Sequence, residues 1–437
     1  MKIHFIGIGG IGVSALAQYY LEKAHEISGS DLTASEITEF LKGKGIKIFI
    51  GNSTENIKRN FDLVIYSPAV KPDNPELKSY KEKGIKCLSY PEALGELTKE
   101  YFTIAVSGSH GKSTTTAMIA LILIKAELDP TVIVGTKLKE FGNSNFKMGN
   151  GKCLVIEACE YDSSFLRYQP EIIVITNIDK EHLDYFKTFA GVKKAFNDFI
   201  ARLPAGGFLV FNKDDVKNSK FKIQKLKSKL KIKIINYSAK QPEALIIKAN
   251  LKIPGEHNVS NALAALTVAR ILKVKNETAI GALSEFKGTW RRFEERDSKI
   301  EKLKNVKIIS DYAHHPNEIR ATLKAAREKY PVEKIWCVFQ PHQNQRTYYL
   351  FNDFVKTFYE TEIDNIIITD IYNVAGRETE ELSAQISSKK LVEKIKRQNV
   401  VYCATNELEK FINANVKSGD ILIIMGAGDI YKLADKF

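Results

Sequence analysis

Two glycine-containing loops, each between an apolar strand and a helix, constrain the fold of this chain more than any other feature. The first is GIGGIG at residues 7–12, which follows KIHFI, and the second is SGSHGKSTTT at residues 107–116, which follows FTIAV. A strand that runs through a tight turn into a helix begins a βαβ unit, and such units build parallel sheets. We therefore predict an α/β protein whose parallel sheets carry helices on both faces.

The order of apolar segments divides the chain into three successive α/β modules. With 437 residues, the chain exceeds the size of one ordinary hydrophobic core. Strand and helix patterns alternate in each third, and several strands end in polar or glycine residues. We predict an N-terminal Rossmann-like domain at residues 1–98, a central P-loop ATP-binding α/β domain at 99–290 and a C-terminal Rossmann-like α/β domain at 291–437.

Composition favours a cytoplasmic protein. The first residues predict a strand and not a signal peptide, no apolar run is long enough to span a bilayer, and the five cysteines lack C-x-x-C spacing. The net charge is +13, which suits an anionic partner such as a nucleic acid, a membrane surface or a phosphorylated substrate. The densest basic run, Lys220 to Ile235, is typical of a solvated amphipathic helix leading into a strand. We expect no nucleic-acid partner and no membrane insertion.

The first loop has the pattern of a diphosphate-binding turn. Gly7, Gly9 and Gly12 match G-x-G-x-x-G, and Asp31 ends the next strand about 20 residues further on, where an acid often binds a ribose hydroxyl. Glycines at these positions let the backbone approach a pyrophosphate at a helix N-terminus. The alternative is a tight turn that only needs small residues. The context predicts binding of a dinucleotide or a nucleoside diphosphate.

The second loop resembles a Walker P-loop without its first glycine. Gly111, Lys112 and Ser113 fit the end of G-x-x-x-x-G-K-[ST], whereas Val106 replaces the first glycine. Lys112 would reach the β- and γ-phosphates, and the Ser113 hydroxyl would bind Mg²⁺. A chain with both loops is expected to join or phosphorylate a substrate that itself carries a diphosphate.

Acids and a histidine follow two buried strands downstream of the P-loop. They are Glu157, Glu160 and Asp162 after the first strand, and Asp179, His182 and Asp184 after the second. Carboxylates and phosphate oxygens are the usual Mg²⁺ ligands. We predict that Glu160 and Ser113 hold one ion and that His182 contacts a second, while the choice between Glu157 and Glu160 stays open.

Polar residues also follow strands of the last module. His314 and Pro316 follow VKIISDYA, and Pro316 is predicted to begin a helix. Arg346 is suited to a substrate carboxylate because arginine binds carboxylates with two parallel hydrogen bonds. His342 lies four residues before it and is as consistent with a structural role as with a ligand. Arg291 and Arg292 lie near the second domain boundary, where an arginine would act on a transferring phosphoryl group as the domains close.

Together these motifs resemble the Mur ligases, the ATP-dependent amide-bond-forming enzymes of peptidoglycan synthesis. The matching stretches run in family order and are HFIGIGGIGVSALA, GSDL, SGSHGKSTTT, EACEYDSSFLRYQP, TNIDKEHLDYF, GEHNVSNALAA, WRRFE, DYAHHPNEIRATLKAAR, VFQPHQNQRT and MGAGDI. The P-loop of that family also lacks the first Walker glycine, so the second loop is similar to a family variant. The resemblance implies a part in cell-wall biogenesis, and hence in cell shape and cell division.

The resemblance implies a specific reaction. ATP, with Mg²⁺, would phosphorylate the lactyl carboxylate of UDP-N-acetylmuramate, and the amine of L-alanine would attack the acyl phosphate. Phe196 and Asn197 stand where later-acting members carry a carbamylated lysine, which favours the alanine-adding reaction. The alternatives are a recycling ligase that adds a tripeptide, a dinucleotide-dependent oxidoreductase and a non-catalytic nucleotide- or nucleic-acid-binding module. A monomer or homodimer is expected.

The resemblance also implies roles for residues that match the motif positions. The ATP-binding set is Gly108, Ser109, His110, Gly111, Lys112, Ser113, Thr114, Asn261, Arg292 and Asp311. The UDP-sugar set is Gly9, Gly10, Ile11, Gly12, Asp31, Ser67 and Asn74. The amino-acid set is His314, His342 and Arg346, and the metal set is Ser113, Glu160 and His182. The catalytic set is Lys112, Glu160, His182, Arg292 and His314.

Overall fold

A computed structural model describes residues 1–51, 60–215, 231–373 and 384–437 of the chain. The described residues form three sheets in two compact units. The first unit comprises Met1–Leu251 and Val259–Phe286, and the second comprises Lys252–Asn258 and Lys287–Phe437. The predicted α/β class is confirmed.

The first sheet is fully parallel. Its strands are β1 (Lys2–Ile6), β2 (Glu26–Asp31), β3 (Lys47–Ile50), β4 (Leu63–Tyr66) and β5 (Cys87–Ser89), in the order β3-β2-β1-β4-β5. Its helices are α1 (Ile11–Glu22), α2 (Glu36–Gly43), α3 (Pro75–Glu82) and α4 (Tyr90–Thr98). Chain order reverses on either side of β1, and the crevice at such a reversal is where open α/β sheets bind ligands.

The second sheet has seven strands in the order β12-β11-β10-β6-β9-β7-β8. They are β6 (Phe102–Ser107), β7 (Thr131–Leu138), β8 (Ser144–Lys147), β9 (Cys153–Glu157), β10 (Ile172–Ile175), β11 (Phe208–Asn212) and β12 (Lys233–Tyr237). All neighbours are parallel except β7 and β8. The antiparallel β7–β8 hairpin was not predicted, because its strands carry polar residues such as Ser144 and Asn145.

The described residues of the same stretch of chain also contain six helices. They are α5 (Lys112–Lys125), α6 (Leu183–Phe186), α7 (Phe189–Ile200), α8 (Glu243–Asn250), α9 (Glu256–Ile271) and α10 (Asn276–Glu285). Helix α9 begins at Glu256, and within its first turn the Asn258 side-chain amide donates to the Pro254 carbonyl at 2.6 Å. Most of the predicted Lys220–Ile235 helix lies outside the described residues.

The third sheet belongs to the second unit and has the order β13-β14-β18-β15-β16-β17. Its strands are β13 (Glu294–Asp297), β14 (Lys307–Asp311), β15 (Ile335–Phe339), β16 (Asn365–Ile368), β17 (Val400–Tyr402) and β18 (Ile421–Met425). Only the β13–β14 pair is antiparallel among these described strands. The helices are α11 (Pro316–Lys329), α12 (Asn344–Tyr349), α13 (Phe351–Glu360), α14 (Ser388–Ile395), α15 (Leu408–Asn415) and α16 (Tyr431–Lys436). Pro316 is the first residue of α11, as predicted.

The central strands are buried on both faces, which explains their continuous apolar sequences. In β15, Cys337 and Phe339 pack into one core cluster, while Trp336 and Val338 pack into a second on the opposite face. Successive side chains of a strand point to opposite faces, so IWCVF fills both layers. No helix in the described ranges combines the length and apolar character that a bilayer crossing requires.

Candidate active site

The P-loop lies between the end of β6 and the start of α5, as the sequence predicted. Gly111 precedes Lys112 with φ of 82°, a left-handed conformation that favours glycine. A Cβ at Gly111 would overlap the side-chain amide of Asn261. Asn261, from α9, therefore lies directly against the loop.

The end of β10 fixes the shape of this loop. The Asn177 side chain accepts from the His110 N–H at 2.8 Å and donates to the His110 carbonyl at 2.9 Å. The Ser109 hydroxyl accepts from the Asp179 N–H at 2.8 Å, and Thr176 donates to the His110 carbonyl at 2.6 Å. These bonds hold the loop in a defined shape, so little ordering is needed when an anion binds.

Lys112 is held by the loop that it extends from. Its ammonium group donates to the carbonyls of Gly108 at 2.5 Å and Ser109 at 3.1 Å. It also lies 3.0 Å from Glu160, whose side chain is fully buried. Burial disfavours the charged lysine, but the Glu160 carboxylate outweighs this effect and raises the pKa of Lys112. Lys112 therefore keeps its positive charge at neutral pH, opposite the Glu160 carboxylate.

Two carboxylates follow β9 and have different partners. Glu157 accepts from the Ser113 hydroxyl at 2.7 Å and from the Gly135 N–H at 3.0 Å. Glu160 lies beside Lys112 and 4.0 Å from the ring of His182. The structure thus brings Ser113, Glu157, Glu160, Lys112 and His182 together at one edge of the sheet. It sets the Ser113 hydroxyl on Glu157, whereas the sequence paired Ser113 with Glu160.

The glycine loop after β1 is closed by the end of β2. The Gly9 N–H donates to the Asp31 carboxylate at 2.8 Å, and the Ser30 carbonyl accepts from Gly7 and Ile8 at 2.8 and 3.0 Å. Asp31 therefore lies against the loop. A Cβ at Gly7 would come 2.9 Å from the Ser67 Cβ, so Ser67 is also close.

Asn74, the remaining UDP-sugar candidate, has a structural role at the start of α3. Its side-chain oxygen accepts from the N–H groups of Glu76 and Leu77, each at 3.0 Å. This is an N-cap arrangement, which satisfies two helix donors. The sequence signal for it was available, since an Asn directly before Pro75 is typical of a helix start.

The glycine loop and the P-loop region are joined by the β7–β8 hairpin. Asn145 of β8 donates to the Ile11 carbonyl and to the Ser14 hydroxyl, in the first turns of α1, and accepts from Gln18 at 2.9 Å. Gly135 of β7 donates to Glu157. One hairpin therefore contacts both the start of α1 and the Ser113–Glu157 pair.

The second unit contains another cluster at the ends of β14 and β15. Arg292 lies 3.3 Å from Glu318 of α11, and the same carboxylate lies 3.3 Å from the His314 ring. Asp311 is buried and accepts from the N–H groups of Phe293 at 2.8 Å and Ala313 at 2.7 Å. Burial raises the pKa of Asp311.

The two adjacent arginines of WRRF have different surroundings. Arg291 is buried between the rings of Tyr312 and Tyr431 and donates to the carbonyls of Gly426 and Gly428 at 2.5 and 2.9 Å. It thereby anchors the MGAGDI loop. Arg292 is more exposed and pairs with Glu318, which leaves it the better candidate for contact with an anionic ligand.

The three predicted amino-acid-binding residues are close together. The His314 and His342 ring centroids are 5.9 Å apart, and Arg346 lies 3.1 Å from the His342 Nδ1. Tyr372 stacks on His342 with a centroid distance of 5.5 Å. This cluster offers a guanidinium for a carboxylate and imidazoles for hydrogen bonding.

Sequence reasoning missed several residues of these clusters. Glu318 lies within DYAHHPNEIRATLKAAR but was given no role there, and Tyr372 lies outside every quoted motif. Asn177 could have been found, because it lies two residues after the end of a buried strand, where ligand-binding residues collect. Asn145 lies on a strand that was not predicted at all.

Comparison with known families gives three consecutive matches. The model described as "Mur ligase family, catalytic domain" matches residues 2–102, the "Mur ligase middle domain" matches 106–269, and the "Mur ligase, glutamate ligase domain" matches 291–428.

Comparison with curated proteins gives relatives matched over nearly the full length. A UDP-N-acetylmuramate–L-alanine ligase of Acetivibrio thermocellus is 42% identical, with 100% of this chain and 95% of the relative covered. One from Alkaliphilus metalliredigens is also 42% identical, covering 99% and 96%. The crystal structure of the corresponding Thermotoga maritima ligase superposes with a TM-score of 0.81 at 28% identity, covering 100% and 98%. A murein peptide ligase from Psychrobacter arcticus, at 23% identity and a TM-score of 0.73, shares the fold.

Proposed function

This chain belongs to the Mur ligase family, and on that basis we propose that it joins L-alanine to the lactyl carboxylate of UDP-N-acetylmuramate, using ATP. The observation that carries the choice of substrates is the 42% identity, over essentially the whole chain, to ligases named for this reaction. The enzyme is an ATP-dependent amide-bond-forming ligase of peptidoglycan biosynthesis.

The proposed reaction has two steps. A lactyl carboxylate oxygen attacks the γ-phosphorus of ATP, the bond to the β,γ-bridging oxygen breaks, and ADP leaves. The neutral amine of L-alanine then attacks the acyl carbon, and phosphate leaves as the amide forms and the amine loses a proton.

The P-loop fits the role of a phosphate cradle. Gly111 has a left-handed backbone, and its lack of a side chain lets Asn261 lie against the loop. Lys112 remains charged. We propose that Gly108, Ser109, His110, Gly111, Lys112, Ser113 and Thr114, with Asn261, bind ATP. Arg292 and Asp311 keep the ATP-binding roles implied by their motif positions.

The residues around the Ser113 hydroxyl fit Mg²⁺. Hard oxygen donors suit this ion, and Ser113, Glu157 and Glu160 supply them, with His182 nearby. We propose Ser113, Glu160 and His182 as metal-binding residues, and the 2.7 Å contact to Ser113 makes Glu157 an equal candidate. When bound, Mg²⁺ would neutralise charge on the transferring phosphoryl group.

The chain's own residues contribute positioning and charge. Lys112 stabilises the negative charge that develops between the β- and γ-phosphates. Gly9, Gly10, Ile11 and Gly12 supply the helix N-terminus for the diphosphate of the UDP-sugar, with Asp31, Ser67 and Asn74 beside it. Arg346 binds the carboxylate of L-alanine, while His314 and His342 orient its amine.

We also propose the domain limits 1–98, 99–290 and 291–437, a cytoplasmic location and a monomer or homodimer. Gel filtration with light scattering tests the oligomeric state.

The deciding experiment measures phosphate release and product mass. With ATP, Mg²⁺ and UDP-N-acetylmuramate, release should require L-alanine and should be lost in Lys112→Ala. Release that requires a tripeptide in place of L-alanine would assign the chain to peptide recycling. No acceptor-dependent release under any combination would overturn the ligase assignment.

A further inference from the structure

Tyr90 has a position that none of the roles above explains. It is the first residue of α4 and is partly buried. A Cβ built on Gly12 would lie 2.7 Å from Cζ and 2.8 Å from the hydroxyl oxygen of Tyr90. The phenol therefore lies directly against the first turn of α1, beside the loop assigned to the sugar diphosphate.

The same phenol lies near enough to Glu157 for the charge of that carboxylate to act on it. The β7–β8 hairpin contacts both the start of α1 and Glu157, which places the Ser113–Glu157 pair on the same side of this unit as Gly12. Burial first, and then the charge of Glu157, raise the pKa of Tyr90. Its hydroxyl thus stays protonated across the physiological range and is available as a donor.

The hydroxyl has no hydrogen-bond partner within the described part of the chain. The start of helix α4, which carries Tyr90, is by contrast held in place by several contacts. The Ser89 N–H and hydroxyl both donate to Glu92, at 2.9 and 2.7 Å, and so cap α4 immediately before Tyr90. Gly95 packs against the Arg167 carbonyl, to which a Cβ would come within 2.6 Å. A rigidly held donor without a protein acceptor suits a ligand oxygen.

We propose that the Tyr90 hydroxyl donates a hydrogen bond to the lactyl carboxylate of the bound sugar nucleotide. This inference rests on the proposed function. The diphosphate is served by the N-terminus of α1, since the N–H groups of Gly7, Ile8 and Gly9 donate within the protein. The lactyl carboxylate, by contrast, must approach Glu157, a group of like charge. A neutral O–H donor at this point offsets that repulsion and holds the carboxylate for attack on ATP.

The test compares Tyr90→Phe with Tyr101→Phe. The Tyr101 hydroxyl lies 3.2 Å from that of Tyr19, so the same chemical change there removes a contact within the protein. Calorimetry measures the Kd for UDP-N-acetylmuramate and for UDP-N-acetylglucosamine, which lacks the lactyl carboxylate. Thermal unfolding measures stability, and initial rates give KM for each substrate.

We expect Tyr90→Phe to weaken UDP-N-acetylmuramate binding about tenfold or more, because a hydrogen bond to a charged group is lost. Binding of UDP-N-acetylglucosamine, KM for ATP and the melting temperature should stay unchanged. Tyr101→Phe should show the opposite pattern, with lower stability and unchanged sugar binding.

If Tyr90→Phe weakened the binding of both sugar nucleotides equally, or of neither, the proposal would be overturned. A higher KM for ATP alone would overturn it as well. A parent protein that binds UDP-N-acetylmuramate but forms no product with L-alanine would refute the proposed reaction. The Tyr90 comparison would still be interpretable, because binding is measured without turnover. A parent protein that does not bind this nucleotide would refute both.

Discussion

Replacing Lys112 by methionine should separate the structural role of this lysine from its catalytic role. The Lys112 ammonium lies 3.0 Å from Glu160, whose side chain has no exposed surface, while the lysine side chain is 13% exposed. Removing one partner of a buried ion pair leaves the other charge uncompensated, at a cost of about 3–5 kcal/mol. Because Lys112 is partly exposed, we expect a loss in the free energy of unfolding at the lower end of this range, about 3 kcal/mol.

The pH of the assay matters little for this comparison. Burial opposes the charged form of Lys112, but Glu160 raises its pKa above the ordinary value of 10.5. A raised lysine pKa gives stability that is fully present below the unfolded pKa and is lost only as pH rises through the folded one. Measurements at pH 7–8 therefore capture the whole effect.

The double variant Lys112→Met, Glu160→Gln supplies the control. It removes both charges, so most of the lost stability should return, while phosphate release should stay at least about 1,000-fold below the parent. Thermal unfolding should show a loss of about 6 °C in the single variant, from about 2 °C per kcal/mol. A single variant as stable as the parent, or a double variant that recovers turnover, would refute the reasoning.

Three further substitutions test other parts of the site. Gly12→Ala should destabilise the protein by about 1–3 kcal/mol through overpacking against Tyr90, and thermal unfolding should show a smaller effect for Gly10→Ala, where the nearest atom is 3.4 Å from the new Cβ. Burial raises the Asp215 pKa from 3.8 to about 6, so the folded state binds the proton more tightly, and stability should fall as pH rises from about 4 to 6. Urea unfolding of Asp215→Asn should therefore show a gain of about 1–2 kcal/mol at pH 8 and almost none at pH 4. Arg346→Leu should raise KM for L-alanine about 10- to 100-fold in initial-rate assays, with Arg346→Lys intermediate and KM for ATP unchanged.

The sequence by itself was sufficient for features that depend on neighbouring residues. Apolar runs that end in glycine or polar residues located the central strands, and the start of α5 at Lys112 followed from the P-loop pattern. Pro316 likewise marked the first residue of α11. A continuous apolar run is readable because both of its faces are buried, so burial shows directly in the sequence.

Tertiary structure alone decided which side chains meet. Glu157 and Glu160 are three residues apart and chemically alike, yet the bend after β9 sets one on Ser113 and the other on Lys112. Tyr90 and Asn145 reach the start of α1 only because of sheet order and hairpin packing. Local sequence patterns report backbone geometry and burial, whereas such contacts depend on how distant segments pack, and no periodicity encodes that.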